Sequence, residues 1–141
     1  MKQLAWAVVS LGLLVAVPAT LTAQNGSADS VQLGQNYPNP FNATTTIPFE
    51  LGEDWFVDGH RPVVSLRIYN VLAQLVAIPI LKGSEETLNE LGLSWNGSGR
   101  FEAYWDGRYG GTGRVAASGV YVYQLVVDRE RVLSKRMSVI R

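Results

Sequence analysis

Apolar and polar residues alternate along most of this chain with a period of two. In residues 120–127, Tyr121, Tyr123, Leu125 and Val127 share one face, as side chains do on a β-strand rather than on a helix. Residues 132–140 repeat the pattern, setting Leu133, Lys135, Met137 and Val139 against Val132, Ser134, Arg136, Ser138 and Ile140. Residues 63–71 turn Val64, Leu66 and Ile68 inward and Ser65 and Arg67 outward, and residues 44–51 put Thr45, Ile47, Phe49 and Leu51 on one side. Residues 75–81 and 100–105 predict two more strands. Proline cannot donate to a ladder, so Pro48 and Pro79 predict edge positions for the strands that contain them.

Turn residues separate these runs. Residues 103–125 read as strand, long turn and strand, the expected middle of the fold. Asp106 accepts backbone N–H bonds in such a turn, and Gly107, Gly113 and Gly119 supply positive φ values. Asn70 to Gln74 and Arg129 with Glu130 predict two tighter turns. Residues 32–42 carry Pro38 and Pro40 among three asparagines and predict an ordered irregular segment, pinned by the rings of Tyr37 and Phe41. Trp55, Phe56 and Val57, in the loop 52–62, are expected to fold back over one end. Residues 83–91 predict one short helix with Ser84 as N-cap. About seven short strands with turns between them predict an all-β sandwich of Greek-key type.

The amino end reads differently. Lys2 is followed by an apolar run over residues 4–17 and then by small residues to Ala23, the order of a secretory signal peptide. The run is short for a membrane span, so cleavage after Ala23 is expected, with cleavage after Ala19 or an uncleaved anchor as alternatives. Residues 24–32 then form a flexible leader, and no membrane span remains after cleavage.

Composition narrows the function. Of 141 residues, 47% are hydrophobic and 17% charged, enough apolar material for a core and too little charge for a disordered chain. The net charge is zero, which gives no pull towards nucleic acid. With no cysteine, disulfides, thiolate metal sites and cysteine nucleophiles are excluded. His60 is the one histidine, in a loop with Glu53, Asp54 and Asp58; a lone histidine without a spaced partner reads as solvated loop rather than a metal or acid–base site. Ser118 has no histidine or lysine at motif spacing, and the glycines from 107 to 113 precede a strand, not a phosphate-binding helix. Asn25, Asn42 and Asn96 begin glycosylation sequons by letter only. No catalytic residue, cofactor, metal or small-molecule substrate is evident, so the chain is read as a non-enzyme.

Three blocks in series carry a resemblance. Residues 36–42, with Thr44, Thr45, Thr46 and Ile47, resemble the "NYPNPFNP.TTI" opening of one family. Residues 64–70 resemble its "V.L.IYD" block. Trp105, Asp106, Gly107 and Arg108, then Gly113 to Ala116, then Ser118 to Tyr121, resemble its "WDGR…GR.V.SGVY.Y.L" pattern. That family is the type A C-terminal sorting domain of type IX secretion, related to the immunoglobulin-like domain of the flagellar hook-capping protein. The resemblance covers residues 33–141 and implies an immunoglobulin-like sandwich. Against the family pattern, residues 82–99 form an inserted surface loop. Ala73 stands where the pattern has glycine, and a different turn geometry is expected there.

The resemblance also implies an exported product, recognised by the outer-membrane secretion machinery and delivered to the cell surface or beyond. Recognition is then expected at the basic and apolar close of the chain: Lys135, Arg136, Met137, Val139 and Arg141. The alternative is a structural or adhesive extracellular module exported by another route.

Overall fold

The computed structural model describes residues 29–141; the signal peptide and most of the leader expected from the sequence lie outside the described residues. Among the described residues, nine strands form two antiparallel sheets. In one, β1 (Val31–Leu33) lies beside β2 (Thr45–Leu51), then β7 (Arg100–Trp105), then β5 (Ile80–Leu81). In the other, β4 (Leu75–Ala77) lies beside β3 (Val63–Tyr69), then β8 (Gly119–Val127), then β9 (Arg131–Val139). The short β6 (Leu91–Gly92) pairs with the start of β3. This is the strand order of an immunoglobulin-like Greek-key sandwich, with β3, β8 and β9 in the places of strands C, F and G.

The alternation seen in sequence sets the core. Ile47, Phe49, Leu51, Leu66, Ile68, Tyr123, Leu125 and Val127 are almost wholly removed from water between the sheets. Fully burying one such aliphatic or aromatic side chain contributes on the order of 1.5–3 kcal/mol. Trp105 sits at one end of this core, with Phe41 edge-on to it at 5.4 Å between ring centres and Tyr121 at 5.9 Å. The Tyr121 hydroxyl donates to the Ala117 carbonyl at 2.8 Å, which fixes the corner where the chain enters β8, as a tyrosine corner does in immunoglobulin-like domains. Trp55 and Phe56, in a 3-10 segment over Glu53–Gly59, pack against the opposite part of the core, whereas Val57 is half exposed.

The structure corrects several expectations. Val31 and Gln32 belong to β1 rather than to a leader: Val31 is buried, and three residues between polar neighbours are too few to show alternation. Pro48 is not at an edge, because β2 lies between β1 and β7. Gly34 donates to the Pro48 carbonyl at 2.8 Å, and the reciprocal bond from residue 48 cannot form. The Gly34 carbonyl accepts instead from the Tyr123 hydroxyl at 2.7 Å, so the ladder tolerates the proline. Residues 75–81 are two strands rather than one: β4 and β5 belong to different sheets, and Pro79 lies in the crossing between them.

No helix forms over residues 83–91, nor is 82–99 merely a surface loop. Leu88 donates to the Pro79 carbonyl, and its own carbonyl accepts from Leu66, each at 2.9 Å, which holds it against β3. Leu88 and Leu93 are buried in the core, and the Glu90 N–H donates to the Ser65 hydroxyl at 2.8 Å. An isolated helix this short is marginal, and burial of Leu88 against β3 outweighs it. Ser84 instead accepts from the Glu86 N–H within a turn. At the 70–74 turn, Ala73 takes φ of 61°, the left-handed conformation for which glycine is best suited.

Candidate functional site

Three segments meet at one corner of the sandwich: residues 36–42, from the first sequence block; the long turn after β7, which carries the third; and the end of the chain. The first enters through residues 36–42. Asn36 is buried; its side-chain amide donates to the Thr45 hydroxyl at 3.0 Å and to the Pro38 carbonyl at 3.2 Å. Its backbone N–H donates to the Tyr123 hydroxyl at 3.0 Å, the same hydroxyl that donates to Gly34. Burial pushes the Tyr123 phenol up to about 12, so the group stays protonated and can act as donor and acceptor at once. Tyr37, by contrast, is half exposed and hydrogen-bonds the Glu102 carboxylate, which pushes its phenol pKa up.

The second contribution is the long turn after β7. The Asp106 carboxylate accepts from the Arg108 N–H at 3.0 Å, and the Trp105 indole N–H donates to the Arg108 carbonyl at 2.9 Å. Gly107 has φ of 73° and lies so close to residue 43 that a Cβ there would sit 2.5 Å from the Ala43 carbonyl oxygen. Gly113 and Gly119 also take positive φ, at 71° and 150°, but with open space around them. The assigned turn residues thus shape backbone. A shallow cavity of ≈ 360 Å³ beside them is lined by Pro79, Tyr104, Asp106 and Tyr109, among others, and joins none of them into a nucleophile–base pair.

The third is the end of the chain. Val139 pairs in parallel with Phe41, whose N–H donates to the Ser138 carbonyl at 3.0 Å and whose carbonyl accepts from Ile140 at 2.9 Å. Asn39 accepts from the Ser138 N–H at 2.9 Å, and the Gln35 amide donates to the Arg136 carbonyl at 2.9 Å. The Arg141 guanidinium then spans all three segments. It donates to the Asn42 carbonyl, to Gly107 at 2.8 Å and to Ala116 at 3.0 Å, while its backbone N–H donates to the Ser118 hydroxyl at 2.8 Å.

This geometry divides the five residues expected to be recognised. Met137 and Val139 are buried core residues, and the Arg141 guanidinium is occupied with backbone carbonyls. Lys135 and Arg136 are exposed, and neither makes an ion pair among the described residues. The sequence did not show that Tyr123 and Arg141 knit the corner, because their partners lie some tens of residues away. It also did not show that His60 meets Asp128, at 2.7 Å, across the opposite end of the sandwich. Asp128 also accepts from the Val63 N–H at 2.7 Å, so the pair anchors the 128–129 hairpin turn against β3. Among the described residues, no group of three histidine or acidic side chains is placed to hold a metal ion.

Fold and corner together define an immunoglobulin-like β-sandwich. Among solved structures, dimeric latent PorU from Porphyromonas gingivalis is similar over 81% of this chain and 10% of its own, at 20% identity and a TM-score of 0.55. The chain therefore spans about a tenth of that protein's length, and the likeness is one of fold. A Pseudomonas fluorescens alkylpurine DNA glycosylase, AlkC, bound to DNA containing an abasic site analogue, is weaker at 14% identity and a TM-score of 0.45, over 80% of this chain and 31% of its own, and carries no argument. No protein-family model matches the chain, and no curated protein matches it.

Proposed function

We propose that the chain is a non-catalytic, exported module of the type IX sorting kind, recognised as a folded sandwich at its last strand by the outer-membrane secretion machinery. The observation that supports this is the convergence at one corner. The three blocks that resemble the sorting family are scattered over most of the chain, yet the first and third meet there around Phe41, Trp105, Tyr121 and Arg141, and the second supplies β3, which pairs with β8. In this reading Met137, Val139 and Arg141 hold β9 in place, and Lys135 and Arg136 are the side chains left for a partner to read. The reading needs no bond-making residue.

The test is delivery of a fused reporter in a host that has the machinery. Lys135→Ala with Arg136→Ala should lower surface delivery while the sandwich stays folded. Deleting residues 137–141 should impair delivery and folding together. Undiminished surface delivery after the deletion overturns the sorting reading and leaves a structural or adhesive module.

A further inference from the structure

The outer edge of β9 runs close to β1, which does not pair with it, and only half of that edge is hydrogen-bonded. Pairing with β8 uses the odd-numbered residues of β9, and the even-numbered ones turn their backbone groups outward. At the far end these are taken up by Gln35, Asn39 and Phe41, which bond Arg136, Ser138 and Ile140. Nearer the hairpin, the N–H and carbonyl of Val132 and Ser134 and the N–H of Arg136 have no partner among the described residues. Val132, Ser134, Lys135 and Arg136 are all exposed.

An open row of backbone donors and acceptors is a template for another strand. Charge decides which. Residues 131–141 contain no acid. Arg131 shares its end of the strand with Asp29, Asp54 and Glu130, so the positive field is centred on Lys135 and Arg136, one on each face of β9. A second copy of this edge laid against the first would bring like charges together, which is unfavourable across strands. An extended acidic segment meets the opposite situation.

We propose that Val132, Ser134 and Arg136 form a strand-docking edge for an extended acidic peptide segment of another protein, added to the sheet beside β9. The peptide's backbone completes the ladder, and its carboxylates face Lys135 and Arg136. The inference holds whichever protein supplies the strand and does not depend on the sorting reading.

The test titrates the isotope-labelled full chain with a capped peptide of paired glutamates separated by threonines, which sets carboxylates on both faces of the added strand, and with its lysine counterpart. The acidic peptide should shift the Val132, Ser134 and Arg136 amides and slow their hydrogen exchange; the basic peptide should not. Ser134→Pro removes an N–H that the sandwich does not use, so it should weaken binding roughly tenfold or more while β3 and β8 keep their spectra. Lys135→Glu with Arg136→Glu leaves the backbone untouched and should transfer the preference to the lysine peptide. Acidic-peptide shifts located elsewhere or absent, or binding undiminished in Ser134→Pro, overturn the proposal. So do concentration-dependent shifts of these amides without peptide, which assign the edge to a second copy.

Discussion

The Arg141 guanidinium donates to the Gly107 carbonyl at 2.8 Å, and a Cβ on Gly107 would lie 2.7 Å from that same guanidinium nitrogen. The glycine and the arginine therefore require one another. Gly107→Ala should destabilise the fold both through its positive φ, worth about 1–2 kcal/mol, and through the clash with Ala43 and Arg141. Gly113→Ala meets the same backbone strain in open space and should cost only about 1–2 kcal/mol. Urea midpoints of the two variants check this; equal losses would show that the close approach at 107 is unimportant.

Arg141→Ala removes charge-assisted bonds to three carbonyls, one at Asn42 and two in the turn after β7. The expected loss is about 1.5–3 kcal/mol, since bonds from charged donors lie at the strong end. Lys135→Ala with Arg136→Ala touches no such bond through its side chains and should stay within about 0.5 kcal/mol of the parent. Thermal midpoints of both variants, measured beside the delivery assay, separate folding from recognition.

Tyr123→Phe leaves the Asn36 N–H and the Gly34 carbonyl without their shared partner and should cost about 1–3 kcal/mol. The pH dependence has a definite sign. Free tyrosine loses its proton near pH 10, while buried Tyr123 holds it to about 12. Between those values the unfolded chain binds fewer protons than the folded one, so stability falls as pH rises. Below pH 10 this contribution is fully present. Denaturant midpoints from pH 9 to 12 should show a decline that is shallower in Tyr123→Phe. Tyr37 and Tyr121, shifted in the same direction, supply what decline remains.

Ala73→Gly should stabilise the protein by up to about 1 kcal/mol. Ala73 holds φ of 61° in an exposed turn, where the Asn70 side chain already accepts from the Leu72 and Gln74 N–H groups. Glycine removes the left-handed strain, and the greater freedom of its unfolded chain offsets part of the gain. A lowered melting temperature would contradict the turn geometry.

Strands long enough to alternate were legible in the sequence. The inward rows of β2, β3 and β8 match the buried residues, because a period of two needs only a few repeats to declare itself; in β9 only Met137 and Val139 of the row are buried while Lys135 is exposed, and Ser65, read as outward, is buried where it accepts from Glu90. What was hidden depends on residues far apart. Pro48 reads as an edge signal until Tyr123 is seen bonding Gly34. Residues 83–91 read as a helix until Leu88 is seen between Pro79 and Leu66. Of the five residues chosen at the end of the chain, the sequence could not separate those facing the core from those left outside. Arg141 lies beyond the last strand, where alternation says nothing of its three carbonyl partners.

The ties between residues 35–42 and the end of the chain span nearly its whole described length: Gln35 to Arg136 is a separation of 101 residues and Asn39 to Ser138 one of 99. Contacts this distant require a large loop to close before they are rewarded, and folding slows as such contacts dominate. During synthesis Phe41 emerges early, and its backbone has no partner until β9 follows. The corner is thus the last part of the fold to close, after every strand it joins has been made.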